Sequence, residues 1–161
     1  MDAKFINPFI SATLQVMETS AATKSERGSL FVKKGEGPLT DISGVIGVTG
    51  KFIGSINIGF PKDIAIKVVS NMLGGMKIDD IDDSVKDGIG EIANMVAGAA
   101  KVQLAEIGYT YKLSIPTVVV GRDHHLSFPP NVPCIVVPFT AIGLGDFYLE
   151  VALKMIIPIE D

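Results

Sequence analysis

The sequence predicts an α+β fold: a mostly antiparallel sheet with long helices packed on one of its faces. Three observations point there. Two pairs of β-rich runs, residues 42–48 with 52–60 and residues 134–142 with 147–157, are each joined by a short glycine-bearing turn. A long helical periodicity occupies roughly residues 85–107. The order is helix, strand, hairpin, then helix, strand pair, hairpin, which reads as an internal duplication of an α-β-β unit.

Taken in order, Asn7 before Pro8 suits a helix N-cap with proline at the first helical position. Phe9, Ala12, Leu14, Val16 and Met17 then carry a helix that fades near Thr23. Residues 25–37 are polar and read as a loop with a short β-like piece at Leu30, Phe31 and Val32. Thr49-Gly50-Lys51 turns the first hairpin. Pro61 opens a second helix with Ile64, Ile66, Val68, Val69 and Leu73 on its apolar side, and Gly74-Gly75 ends it. The acidic residues 79–83 lead through Ser84 into the third helix, which Gly108 closes. Strand-like runs at 109–113 and 117–120 follow, then a loop with His124, His125, Pro129 and Pro130. Gly143 and Gly145 mark the last turn. Nothing divides the chain, so residues 1–161 are expected to form one domain. Two hairpins leave sheet edges to protect, and pairing in a homodimer would protect them.

The composition, 47% hydrophobic and 20% charged, is that of a globular chain. A net charge of −4 with 14 scattered Lys and Arg argues against nucleic acid as the partner. No apolar run approaches the roughly 18 residues of a spanning helix, and residues 1–9 lack the apolar stretch of a secretory signal. The single cysteine, Cys134, lies in an apolar run and reads as a buried small hydrophobe. The expected compartment is the cytoplasm.

The third helix carries the chemistry. At about 100° per residue, Val85, Ile89, Ile92, Val96, Ala100, Gln103 and Ile107 form the stripe expected to be buried. Opposite lies a second stripe of Asp87, Glu91, Asn94, Gly98 and Lys101. Its middle sets a carboxylate and a carboxamide side by side, with glycine one turn beyond. Most Glu-x-x-Asn pairs are solvated surface. Here, however, Asn is a poor mid-helix residue, and Gly90 and Gly98 each cost roughly 1 kcal/mol against alanine in a helix interior. Stability alone would select none of the three.

The run Asp87-Gly88-Ile89-Gly90-Glu91-Ile92-Ala93-Asn94, with its acid-x-x-x-Glu-x-x-Asn spacing, resembles the signature of the CheC/CheX/FliY family of chemotaxis phosphatases. Pro116, in Ser114-Ile115-Pro116-Thr117, matches the family's downstream proline. The opening Ile6-Asn7-Pro8-Phe9-Ile10 is similar to the CheX branch. CheC-like members carry two Glu-x-x-Asn motifs; here the first helix offers Glu18-Thr19-Ser20-Ala21, with alanine in the asparagine position. A single motif therefore places the chain nearer CheX than CheC.

The resemblance implies a CheC-like fold and hydrolysis of the aspartyl-phosphate on a CheY-like response regulator. The regulator would supply its own Mg²⁺ and lysine, leaving this chain without a cofactor of its own. What hydrolysis then lacks is a water in line with phosphorus, and phosphoryl transfer asks chiefly for positioning and electrostatics. An uncharged amide both donates and accepts, which suits Asn94 to hold that water. By the same analogy Glu91 reaches the regulator's lysine in a charge-assisted contact, while Asp87, Gly98 and Lys101 shape the docking face.

Other signals fail on their own terms. Residues 44–51 resemble a phosphate-binding loop, but Val45 stands where its glycine belongs and Phe52 where its Ser or Thr belongs. Asp80, Asp82, Ser84 and Glu91 fall in a calcium-loop register whose turn glycine is Val85. Acids ahead of a helix N-terminus are favourable without any metal. His124-His125 has no third ligand in view, and adjacent side chains on extended backbone point apart. Two rivals stand beside the phosphatase: a non-catalytic adaptor binding a response regulator, and a flagellar-switch component. The latter usually brings an added domain or recognition tail.

Overall fold

The computed structural model describes residues 3–156. In chain order it holds α1 (Ala3–Ser20), β1 (Ser25–Arg27), β2 (Phe31–Val32), β3 (Thr40–Gly50), β4 (Phe52–Phe60), α2 (Lys62–Met72), α3 (Asp83–Glu106), β5 (Tyr111–Leu113), β6 (Thr117–His124), β7 (Cys134–Ala141) and β8 (Gly145–Met155). The predicted α+β class and both hairpins stand. The last two residues of the predicted final strand divide: Ile156 follows β8, and Ile157 lies outside the described residues.

Every strand pairing is antiparallel. The sheet runs β1-β7-β8-β4-β3-β5, with β2 also on β7 and β6 also on β3. The two hairpins therefore meet at β4 and β8 in the centre. Each is flanked by the other two strands of the opposite half. That palindromic path is the α-β-β duplication realised in three dimensions, with α2 as an insertion between the halves.

Strand parity sorts the core. Ile42, Ile46, Ile56, Ile58, Leu149 and Val151 point to one face and are all at most 2% exposed. There they meet α1 and α3, whose Phe9, Met17, Ile89 and Ile92 have no exposed surface. Phe60 stacks on Phe147 at 5.0 Å and Phe139 on Phe147 at 5.2 Å between ring centroids.

Close approach of neighbouring elements, helix to sheet and helix to helix, explains two glycines. A Cβ on Gly44 of β3 would sit 2.8 Å from Ala93 Cβ and 3.0 Å from Ile89 O. One on Gly88 of α3 would sit 2.7 Å from Val69 Cγ2 of α2. Gly88→Ala is thus expected to destabilise by about 1–3 kcal/mol through overpacking, despite alanine's better helix propensity. Urea denaturation of the variant reads that directly; an unchanged midpoint would contradict it.

Three local expectations are corrected. α1 begins at Ala3, so Asn7 is no cap and Pro8 lies inside the helix. Tertiary packing carries the helix past proline: Ile6 is buried, and Phe5 sets its ring edge-on to Phe52 and Tyr109 at 5.5 and 4.6 Å. In residues 25–37 the β-like piece stands as β2, but Ser25–Arg27, expected as loop, forms β1 against β7. The strand predicted at 117–120 continues to His124, which ends β6 instead of lying in a loop.

The other sheet face is more polar. Ser43, Asn57 and Glu150 are each at most 3% exposed there. Lys33 Nζ lies 2.7 Å from Glu150 Oε2, with both side chains about 95% buried (5% and 4% exposed). The same ammonium donates to Leu126 O and sits 5.2 Å over the Phe128 ring. Cys134 is buried as predicted, its Sγ 3.8 Å from Glu150 Oε2. Burial, joined by the Glu150 charge, pushes its thiol pKa up to about 12.

Candidate functional site on the third helix

α3 is 24 residues long, roughly 36 Å at 1.5 Å per residue. Asp82 caps it: the carboxylate accepts from the Val85 backbone N–H at 3.0 Å. Asp83 then adds negative charge to the first turn. The helix therefore starts two residues earlier than the periodicity suggested. Asp80 is held by Lys62 at 2.8 Å, so the acids before the helix are a cap and an ion pair.

Val85, Ile89, Ile92, Val96 and Ala100 are buried as expected. The last turns differ. Leu104 is buried, Gln103 is only partly covered, and Ile107 is 50% exposed just past the helix end. At the last turns the apolar Leu104 takes the inward place beside the polar Gln103, whose amide stays near solvent.

Three neighbours fix the helix and leave one ridge open. α2 abuts Gly88 through Val69. On the other flank a Cβ at Gly90 would meet Val118 Cγ2 at 3.3 Å and Pro116 Cγ at 3.8 Å. α1 approaches further along, where Ser20 Oγ donates to Met95 Sδ at 3.6 Å. Between these flanks Asp87, Glu91 and Asn94 are exposed. Gly98 and Lys101 are partly covered. Side chains three apart on a helix have Cβ atoms about 5–6 Å apart, so Glu91 and Asn94 face solvent together. Among the described residues the side chains of Glu91, Asn94 and Asp87 have no hydrogen-bond or ion-pair partner.

The glycines on this helix divide by cause. Gly90 has a packing reason, its contact with Val118 and Pro116, so the helix-propensity argument for function does not apply to it. Gly98 has no such reason: a Cβ there would meet nothing within 4 Å. Pro116 also acquires a place. It seats the β5–β6 connection against α3 one turn before Asn94. That connection is pinned by Ser114, whose backbone N–H donates to Gly47 O at 2.9 Å and whose Oγ accepts from Gly47 N at 2.8 Å.

The first helix has no equivalent ridge. α1 ends at Ser20, and Ala21 is fully buried beyond it. His124 is tied into the sheet: Nδ1 lies 2.6 Å from Gly121 O and must donate to it, leaving Nε2 to meet Ser43 Oγ at 2.8 Å. Among the described residues no group of three or more His, Cys, Asp or Glu is placed to hold a metal ion. No helix there is long and apolar enough to cross a membrane.

A family model described as chemotaxis phosphatase CheX matches residues 42–140, more than half of the chain. The chain belongs to the CheX family. The matched span includes Glu91, Asn94 and Pro116. The chain is also 32% identical over 155 residues to a Thermotoga maritima protein named CheY-P phosphatase CheX, covering 96% of this chain and 98% of that one. A crystal structure of a CheC-like superfamily protein from Shewanella superposes with a TM-score of 0.90 at 35% identity, over 96% of this chain and 99% of the other. CheX from Borrelia burgdorferi, crystallised in complex with CheY, BeF₃ and Mg²⁺, shares the fold at 22% identity and a TM-score of 0.77, over 93% and 97% of the two chains.

Proposed function

We propose that this CheX-family chain hydrolyses the aspartyl-phosphate of a CheY-like response regulator by inserting the Glu91–Asn94 ridge of α3 into the regulator's active site. The observation that carries the proposal is the ridge itself. It is an exposed carboxylate and carboxamide whose side chains have no partner among the described residues, on a helix held from three sides. The name of the Thermotoga relative and the CheX–CheY complex from Borrelia support the choice of substrate.

On this reading Asn94 places a water in line with phosphorus. Its carbonyl oxygen accepts a hydrogen bond from the water, and the amide donates toward the phosphoryl oxygens without adding charge. The water oxygen bonds to phosphorus as the bond to the aspartyl oxygen breaks, releasing inorganic phosphate and the free carboxylate. Glu91 reaches the regulator's lysine and fixes register; the Mg²⁺ belongs to the regulator. Asp87, Gly98 and Lys101 line the docking face, with Gly98 leaving room for close approach. The setting is the cytoplasm, where the regulator works.

The test is to add the chain, well below one copy per regulator, to a ³²P-labelled CheY-type protein of the source organism. Phosphate loss far faster than the regulator's own decay, with many turnovers per chain, is expected. Binding with a lifetime altered only in proportion to the chain added would identify an adaptor instead. We also propose a homodimer, since Phe31 and Val32 of β2 are 45% and 54% exposed at the sheet margin. Sedimentation velocity should give twice the chain mass; a monomer at working concentration would remove that part of the proposal.

A further inference from the structure

Beside the ridge, on the Glu91 flank, the C-terminal end of α2 and the first turns of α3 leave an open cavity of about 400 Å³. Val69, Met72 and Leu73 form its apolar wall, and Asp87 and Glu91 form its acidic rim. Leu73 is 44% exposed and Met76, just beyond it, 53%. The wall is not a frayed helix end. Leu73 N–H is shared between Val69 O and Ser70 O, both at 3.1 Å; Gly75 N–H donates to Ser70 O at 2.8 Å, and Ser70 Oγ to Met76 O at 2.7 Å.

The rim is unusual in its charge. Asp87 and Glu91 are four apart on one helix, where like charges repel. The nearest lysine in sequence, Lys86, reaches back to Asp83 at 3.8 Å. The chain thus holds two acids together at the mouth of an apolar cavity, and among the described residues no cation pairs with either. A partner that places an apolar side chain in the cavity and a lysine or arginine at its rim would satisfy both features at once. The cavity is continuous with the proposed catalytic ridge because Glu91 belongs to both.

We infer that this notch is the specificity pocket for the phosphorylated regulator: it takes an apolar side chain flanked by a basic residue, and so selects which regulator the ridge can enter. This rests on the phosphatase reading and adds to it a contact that acts in binding rather than in the chemical step. Leu73 is accordingly a specificity residue, not a catalytic one, and its loss should move KM rather than kcat.

The experiment measures binding of BeF₃⁻-loaded regulator and, separately, steady-state dephosphorylation, for wild type, Leu73→Asp, Asp87→Asn and Ile142→Ser. Leu73→Asp is expected to weaken binding and raise KM by tenfold or more, with kcat within twofold. Asp87→Asn should weaken binding severalfold at low salt and lose part of the wild-type salt dependence. Ile142 is 49% exposed in the β7–β8 turn and should behave as wild type, so that a general effect of surface apolarity is separated from the notch. Leu73→Asp with wild-type affinity and KM, in a protein that circular dichroism shows to be folded, overturns the inference and leaves the phosphatase reading intact. A wild type that binds but does not turn over defeats the phosphatase reading while the affinities still decide the notch. A wild type that does not bind at all defeats both.

Discussion

Asn94→Ala is expected to lower the dephosphorylation rate of a saturating regulator by about 10²-fold or more, the scale of one lost transition-state hydrogen bond. The same change should leave folding unharmed. Asn94 is exposed and has no partner within the described chain, so nothing is orphaned by its removal. Alanine is the better helix former by several tenths of a kcal/mol, so urea denaturation should give equal or slightly greater stability. A variant more stable yet nearly inactive is the signature of a residue kept for chemistry at a cost in stability. Asn94→Asp keeps the shape but brings a negative charge against the phosphoryl oxygens, and should be no more active than the alanine variant. Wild-type turnover by Asn94→Ala, in single-turnover assays with labelled regulator, would end the assignment.

The second large effect concerns stability and lies on the opposite face of the sheet. Glu150→Ala removes the acceptor from an ammonium that is 5% exposed. Lys33 would keep its bond to Leu126 O and its seat over Phe128, but its buried charge would be left without a counter-charge. Breaking a buried pair in this way costs about 3–5 kcal/mol. For a domain of this size that lowers Tm by roughly 6–20 °C. Replacing both partners, as Lys33→Met with Glu150→Leu, should restore most of the loss, because no charge then remains to be desolvated. Equal loss from the single and double variants would show that packing, not charge, sets the effect.

The candidate site was legible from sequence because it is local. Glu91 and Asn94 share one helix, and 3.6-residue periodicity alone puts both on the face away from Ile89 and Ile92. The hairpins were legible for the same reason, since Thr49-Gly50-Lys51 joins two partners that touch. What stayed hidden depends on distant chain. The three residues of β1 have no strand pattern of their own and become a strand only against Phe139, Thr140 and Ala141. Lys33 and Glu150 are 117 positions apart, and neither carries a local mark of burial. Gly90 was read as a sign of function because its packing partners, Val118 and Pro116, arrive from beyond the helix. Pro8 misled because capping statistics count neighbours in sequence, whereas Phe5 packs on Phe52 and Tyr109 from far along the chain.

The crossed arrangement of the sheet has a consequence for how this protein can be divided. Strands β1 and β2 from the amino-terminal repeat complete the carboxy-terminal hairpin, and β5 and β6 return the favour on β3. Cutting the backbone within the segment between α2 and α3 would therefore give two fragments with bare β-edges, neither a self-sufficient module. They should regain structure only on mixing.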